Sequence, residues 1–218
     1  MTSGILLVVI HGVNRRIPKG VALREAGELK EGFFKLWKFR LSPRKEFVQD
    51  AILVYYPFYL IPYQITWGKA PFAPGMMIDA RFREFSVLAG VPPRSRIETN
   101  DLTIQPTVDE YSAKRHAETK LREAVQRKRA REMSKKKGKE LTSYQIEELE
   151  LAYWPFWAIR VQDMWKNYRF IGVDAVLNFR GYNLSFTRFF SGPLYSLISK
   201  GFDQPMPSST EKVPIQGE

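Results

Sequence analysis

Apolar positions along this chain fall into helical and extended runs, and the two kinds alternate in the same order twice. Ala22, Ala26, Leu29, Phe33, Leu36 and Trp37 recur at helical spacing, which gives one apolar stripe and leaves Lys30, Lys35 and Lys38 largely on other faces. Ser42-Pro43 ends that helix, because proline cannot continue the hydrogen-bond ladder. From about Ala51 to Ile65 the run is apolar and rich in rings, and Pro57 and Pro62 favour extended backbone. A loop marked by Gly68, Pro71, Pro74 and Gly75 leads to a return strand from Met76 to Phe85. The second round opens with a helix from about Val108 to Lys137, whose stripe is Ala117, Leu121, Ala124 and Val125, with Gly138 as its stop. Ser143 to Glu150 reads as a short helical turn, Leu151 to Gln162 as a strand and Tyr168 to Phe179 as its return. Ile5 to Ile10 reads as a buried strand rather than a leader, ahead of a turn at Asn14 to Gly20.

The two rounds also share letters. Val54-Tyr55-Tyr56-Pro57-Phe58-Tyr59-Leu60-Ile61-Pro62-Tyr63-Gln64 returns 98 residues later as Ala152-Tyr153-Trp154-Pro155-Phe156-Trp157-Ala158-Ile159-Arg160-Val161-Gln162. Five of the eleven positions are identical and two more exchange Tyr for Trp. The pattern predicts an α+β fold of two duplicated helix–strand–strand modules packed through antiparallel aromatic-rich sheets, with a projecting basic helix. The expected organisation is an N-terminal strand and turn at 1–21, a first module at 22–90 and a linker at 91–107. A second module follows at 108–183, then an extension and polar tail at 184–218. Both sides of the second aromatic strand are apolar, so it is expected to be covered on both faces, by helix on one and by the other module on the second. The shared proline predicts an edge strand or a bulge, because it cannot donate to a ladder. Tyr55, Phe58, Tyr59, Tyr153, Trp154, Phe156 and Trp157 read first as core, and second as the lining of a ligand groove.

Each aromatic strand is followed by an Asp-Ala strand, Met77-Ile78-Asp79-Ala80 and Gly172-Val173-Asp174-Ala175. This order resembles PepSY-type modules in tandem, and the resemblance covers about half the chain. Phe82 and Leu177 stand where such modules usually place glycine. The resemblance implies an α+β fold with a binding or inhibitory role rather than catalysis. The Tyr-Pro-Phe-aromatic motif also looks like domains found beside zinc ribbons in bacteria and archaea, although this chain has no ribbon.

The formal charge of +11 is concentrated. Residues 15–45 hold ten Lys or Arg against three Glu, and residues 120–139 hold ten against two. Beyond Gln126 the apolar stripe of the second helix stops, so that half is expected to face solvent or a partner. Lys120, Arg127, Lys128, Arg129, Arg131, Lys135, Lys136 and Lys137 are therefore the candidate contacts with an acidic partner or a polyanion. Phe186, Phe189, Phe190 and Tyr195 supply a second candidate interface, with Arg188 and Lys200 nearby, a mixture that suits an anionic membrane surface.

Catalytic signatures do not assemble. Cysteine is absent, which removes disulfides, thiolate metal sites and thiol nucleophiles. Leu6 to Gly12 is similar to the strand and His-Gly turn before an α/β-hydrolase oxyanion hole, but no Gly-x-Ser-x-Gly elbow follows. His11 and His116 make no metal set by themselves. Asp79 and Asp174 could form a carboxylate pair, yet capping a turn or pairing with Arg81 or Arg169 is the plainer role. The sequence thus predicts no cofactor, no small-molecule substrate and no enzyme activity. It predicts a cytoplasmic accessory or scaffold protein docking through basic helices and aromatic surfaces onto an acidic partner within a larger assembly. Sequence-independent binding of DNA or RNA is the first alternative, and peripheral association with an anionic membrane surface the second.

Overall fold

The computed structural model of the chain describes residues 8–24, 26, 47–67, 70–72, 75–88, 91–133, 141–162, 165–176 and 194–203. Among them are ten strands: β1 (Val8–Gly12), β2 (Phe47–Trp67), β3 (Ala70–Phe72), β4 (Gly75–Asp79), β5 (Phe85–Leu88), β6 (Ser95–Thr99), β7 (Leu102–Thr103), β8 (Leu141–Ile146), β9 (Glu150–Gln162) and β10 (Tyr168–Asp174). Helix α1 covers residues 19–24, α2 Glu110–Met133 and α3 Tyr195–Asp203. The class is α+β. The sheet follows the path β5-β4-β2-β9-β1-β6, with β10 on β9 and with β3, β7 and β8 on β2.

The chain forms two compact units. The first comprises Met1–Pro18, Leu53–Phe156 and Asp174–Asn178; the second comprises Lys19–Ile52, Trp157–Val173 and Phe179–Glu218. In the first unit α2 sets Ala113, Ala117 and Leu121 into a cluster with Tyr59, Ile61, Met76 and Ile78 of β2 and β4. The small alanines let the helix backbone approach the sheet. In the second unit the Arg160 guanidinium lies 5.3 Å from the ring centre of Tyr168 and 4.7 Å from that of Phe202. Lys19 pairs with Asp50 at 2.7 Å in the same unit.

The aromatic strands β2 and β9 are neighbours. Gln49 bonds Gln162, whereas further along β2 the ring of Tyr56 meets that of Phe156, so the two strands run antiparallel. Both are interior strands, which removes the edge from the two alternatives, edge or bulge, that their prolines predicted.

Interior placement is possible because each proline changes what its neighbour's carbonyl binds. The Ala80 N–H donates to the Pro57 carbonyl at 3.2 Å, but Pro57 has no N–H to return. Ala80's carbonyl instead accepts the N–H groups of Thr107 and Val108, at 2.9 and 2.8 Å, just ahead of α2. The second proline behaves alike. Ala175 donates to Pro155 at 3.1 Å, and the Ala175 carbonyl accepts Arg16 and Ile17 at 2.7 and 2.9 Å, just ahead of α1.

The Asp-Ala strands close in the same manner. The Tyr56 hydroxyl donates to both Asp79 oxygens at 3.1 Å, and Asp79 Oδ1 also accepts the N–H groups of Arg81 and Phe82. Trp154 Nε1 donates to Asp174 Oδ1 at 3.0 Å, which also accepts Val176 N–H. The aromatic-proline pair and the Asp-Ala pair are thus one hydrogen-bonded device, present at two places.

Three further expectations are corrected. The return strand expected at Met76 to Phe85 is two strands, β4 and β5, because Asp79 turns the chain at residues 80–84. Part of the expected linker at 91–107 is regular: β6 pairs antiparallel with β1, and β7 lies parallel to β2. Its Arg96 and Glu98 are exposed while Thr99 is buried, an alternation suited to an edge strand. The helical turn expected at Ser143 to Glu150 is occupied instead by β8, which pairs with Tyr63–Trp67 of β2 and satisfies that backbone. At the end of β1, Gly12 lies against Tyr153 of β9; an added Cβ would sit 2.7 Å from the Tyr153 carbonyl oxygen. That close approach explains the glycine of the His-Gly string, and His11 is exposed.

Candidate polyanion-binding surface

Helix α2 begins where Asp109 caps it. Its carboxylate accepts the Ser112 N–H at 2.8 Å, and its carbonyl accepts Ala113 N–H at 3.0 Å. The backbone bond from Ser112, then that residue's side chain, hold the Asp109 carboxyl below the usual range. The Tyr59 hydroxyl donates to the Val108 carbonyl at 2.8 Å, fixing the helix entry to β2. One face of the first half is thereby committed to the core. His116, Lys120, Glu123 and Arg127 follow at four-, three- and four-residue spacing and so share a flank beside that buried face.

Glu123 is the acid on this flank. Lys120 Nζ and Arg127 Nη2 both reach the same oxygen, Oε2, at 3.4 and 3.2 Å. Arg127 is largely exposed. Arg83 adds a cation from the turn between β4 and β5, where it sits in the left-handed region with φ of 60°. Burial first, then the charges of Lys120 and Arg83, push the His116 imidazole below the usual histidine range, against the pull of Glu123. Arg83 also lowers Asp109, so its charge is felt along the first turns of α2.

The sequence-based candidates divide clearly. Lys120 and Arg127 stand on this flank. Lys128, Arg129 and Arg131 lie on the same helix, while Lys135, Lys136 and Lys137 fall outside the described residues. Tyr55, Phe58, Tyr59, Tyr153, Trp154, Phe156 and Trp157 are all buried, so they build the interior and offer no docking surface. Tyr195 opens α3, holds its ring tilted against Phe170 with centroids 4.9 Å apart, and donates its hydroxyl to the Tyr168 carbonyl; Phe186, Phe189 and Phe190 fall outside the described residues. Arg83 was missing from the sequence-based set, because nothing local marks Phe82-Arg83-Glu84 as a tight turn rather than strand. A closer look at what Asp79 caps would have found it.

Asp79 and Asp174 each serve an aromatic donor and a turn, the capping role expected of them. Burial raises the Asp79 carboxyl above the usual range, opposed by the N–H groups of Phe82 and Arg81 and by the Tyr56 hydroxyl. Among the described residues no group of three or more His, Asp and Glu could hold a metal ion, and no helix is long and apolar enough to cross a membrane. No protein-family model, curated protein or solved structure matches the chain.

Proposed function

We propose that this chain is a non-catalytic accessory module that grips a nucleic-acid backbone, without reading its sequence, through the cationic flank of α2. The observation that carries this reading is the division of labour on one helix: Ala113, Ala117 and Leu121 are spent on the core, while Lys120 and Arg127 remain outside it. Stable protein–protein interfaces take most of their energy from buried Trp, Tyr and Arg anchors. The seven rings of the repeat are interior, so they cannot supply such anchors. A phosphate backbone asks only for exposed cations along a line.

An acidic protein surface within a larger assembly is the second reading. Tyr111, 74% exposed in the first turn of α2, favours it as a ready anchor. Retention on heparin, followed by the mobility shift of labelled RNA and duplex DNA, tests the choice. Lys120→Glu/Arg127→Glu is expected to lose both signals with its melting temperature unchanged. Retention that survives the double substitution refutes the reading.

The scaffold is read as two copies of one helix–strand–strand module. Support comes from bonds that recur in both copies. Tyr55 accepts Ile104 N–H as Tyr153 accepts Val13 N–H, and Ala80 takes the chain ahead of α2 as Ala175 takes the chain ahead of α1. On this reading each copy's helix lead-in rests on the other copy's Asp-Ala strand, so the copies are exchanged rather than side by side. The exchange is what carries α2 onto β2 and β4 of the first copy.

A further inference from the structure

Two cations converging on one carboxylate oxygen reproduce the contacts a phosphate oxygen would make. Lys120 and Arg127 both reach Glu123 Oε2, and all three side chains are at least about a third exposed. Exposed ion pairs of this kind contribute little net stability, because water and salt compete for both partners. The pairing can therefore be exchanged for a phosphate at small cost, with counterions released from the nucleic acid as the driving term. Arg83 lies outside the helix, in the turn whose Ala80 carbonyl accepts the Thr107 and Val108 N–H groups just ahead of α2, and its charge acts on both His116 and Asp109. Its turn is held firmly: Arg83 N–H donates to the Asp79 carbonyl at 3.0 Å, and Asp79 N–H to the Glu84 carbonyl at 2.8 Å.

We propose that Arg83 completes the phosphate-binding flank of α2, and that Glu123 fills that flank in the free protein as an internal stand-in for phosphate. The inference rests on the nucleic-acid reading above and deepens it. Because the Lys120 and Arg127 nitrogens both reach the same oxygen, they are set to close together on a single phosphate in the place that Glu123 now fills. Glu123 stands between them. Binding must move it aside, which makes it a brake on affinity set into the site itself.

The test uses the full chain and a fluorescein-labelled 20-nucleotide single strand of mixed sequence, with anisotropy read between 50 and 200 mM KCl. Glu98 and Arg96 on β6, at the other end of the sheet path from β5, provide controls with the same change in net charge. Glu123→Gln is expected to tighten binding about five-fold and to steepen the salt dependence by about one phosphate, beyond the effect of Glu98→Gln. Arg83→Gln is expected to weaken binding about five-fold and to remove about one phosphate from the slope, while Arg96→Gln changes Kd less than about two-fold. Equal effects of Glu123→Gln and Glu98→Gln, or of Arg83→Gln and Arg96→Gln, overturn the proposal, even if the wild type binds with a steep salt dependence and the broader reading stands. No binding by the wild type at 50 mM overturns the broader reading as well. If poly-L-glutamate responds to these substitutions and the oligonucleotide does not, the flank belongs to an acidic protein and the proposal fails. Unchanged melting temperatures in all four variants exclude misfolding as the cause.

Discussion

Replacing Asp79 by alanine removes the acceptor for three donors at once: the Tyr56 hydroxyl and the N–H groups of Arg81 and Phe82. Tyr56 is among the most completely buried side chains of the chain, so its hydroxyl gains no water in exchange. A buried donor left unsatisfied costs about 1–3 kcal/mol, and each N–H of the turn about 0.5–1.5 kcal/mol. Against this stands relief from holding a buried carboxylate, whose desolvation is the main cause of its raised pKa. Asp79→Ala is therefore expected to lower unfolding free energy at pH 7 by about 3 kcal/mol. Asp79→Asn keeps an acceptor for the turn, removes the buried charge, and is expected to cost about 1 kcal/mol or less.

The pH dependence separates charge from hydrogen bonding. A carboxyl whose folded pKa is raised binds more protons folded than unfolded between its ordinary value and the raised one. Its contribution is fully present below the ordinary value of 3.8 and is lost as pH rises through the folded pKa. Wild type is thus expected to gain stability relative to Asp79→Asn as pH falls from 7 toward 4. Urea unfolding at fixed m-value reads both effects, and a cycle with Tyr56→Phe isolates the pair at about 1 kcal/mol or more of coupling. Asp79→Ala within about 0.5 kcal/mol of wild type, or additive with Tyr56→Phe, refutes the account of the Asp-Ala device.

Other outcomes follow from the same contacts. Gly12→Ala forces its Cβ to within 2.7 Å of the Tyr153 carbonyl and is expected to cost about 1–3 kcal/mol in urea unfolding, whereas Gly20→Ala meets nothing within 4 Å and is not expected to clash. Cutting the chain after Gly90 leaves each half without the lead-in that its Ala carbonyl accepts. Fragments 1–90 and 91–218 are therefore expected to fold only when mixed, and cooperative unfolding of either half alone contradicts the exchanged arrangement. His116 shares its flank of α2 with Lys120 and Glu123 and feels the charge of Arg83, and its lowered pKa favours the neutral imidazole at pH 7. A bound phosphate favours the imidazolium, so affinity for an oligonucleotide is expected to rise as pH falls from 7 to below 6. His116→Gln should flatten that profile, and an unchanged profile removes His116 from the flank.

Much of the scaffold could be read from the chain. Ring-rich runs with apolar residues on both sides predicted covered strands, and β2 and β9 are buried from Ala51 to Ile61 and from Ala152 to Ile159. Ala117 and Leu121 marked the buried face of α2 correctly. What escaped was long-range. Nothing near Pro57 says that Thr107 will take the Ala80 carbonyl freed by the missing N–H, because that bond closes between residues 80 and 107, far apart in sequence. Thr142-Ser143 looks like a helix cap by local chemistry, but unpaired backbone at Tyr63–Trp67 drew the segment into β8. Of the candidate flank, charge density gave Lys120 and Arg127; the turn that sets Arg83 beside the lead-in to α2 depends on Asp79 and left no periodic trace.

Salt-dependent affinity for two unrelated oligonucleotides, one single strand and one duplex, tests the central claim most directly. The account predicts similar Kd values for different sequences of each form, with log K falling linearly against log salt. If about four phosphates are neutralised, affinity drops on the order of a hundred-fold between 50 and 200 mM. Binding that ignores salt, strong preference for one sequence, or no binding at the lowest salt would contradict it.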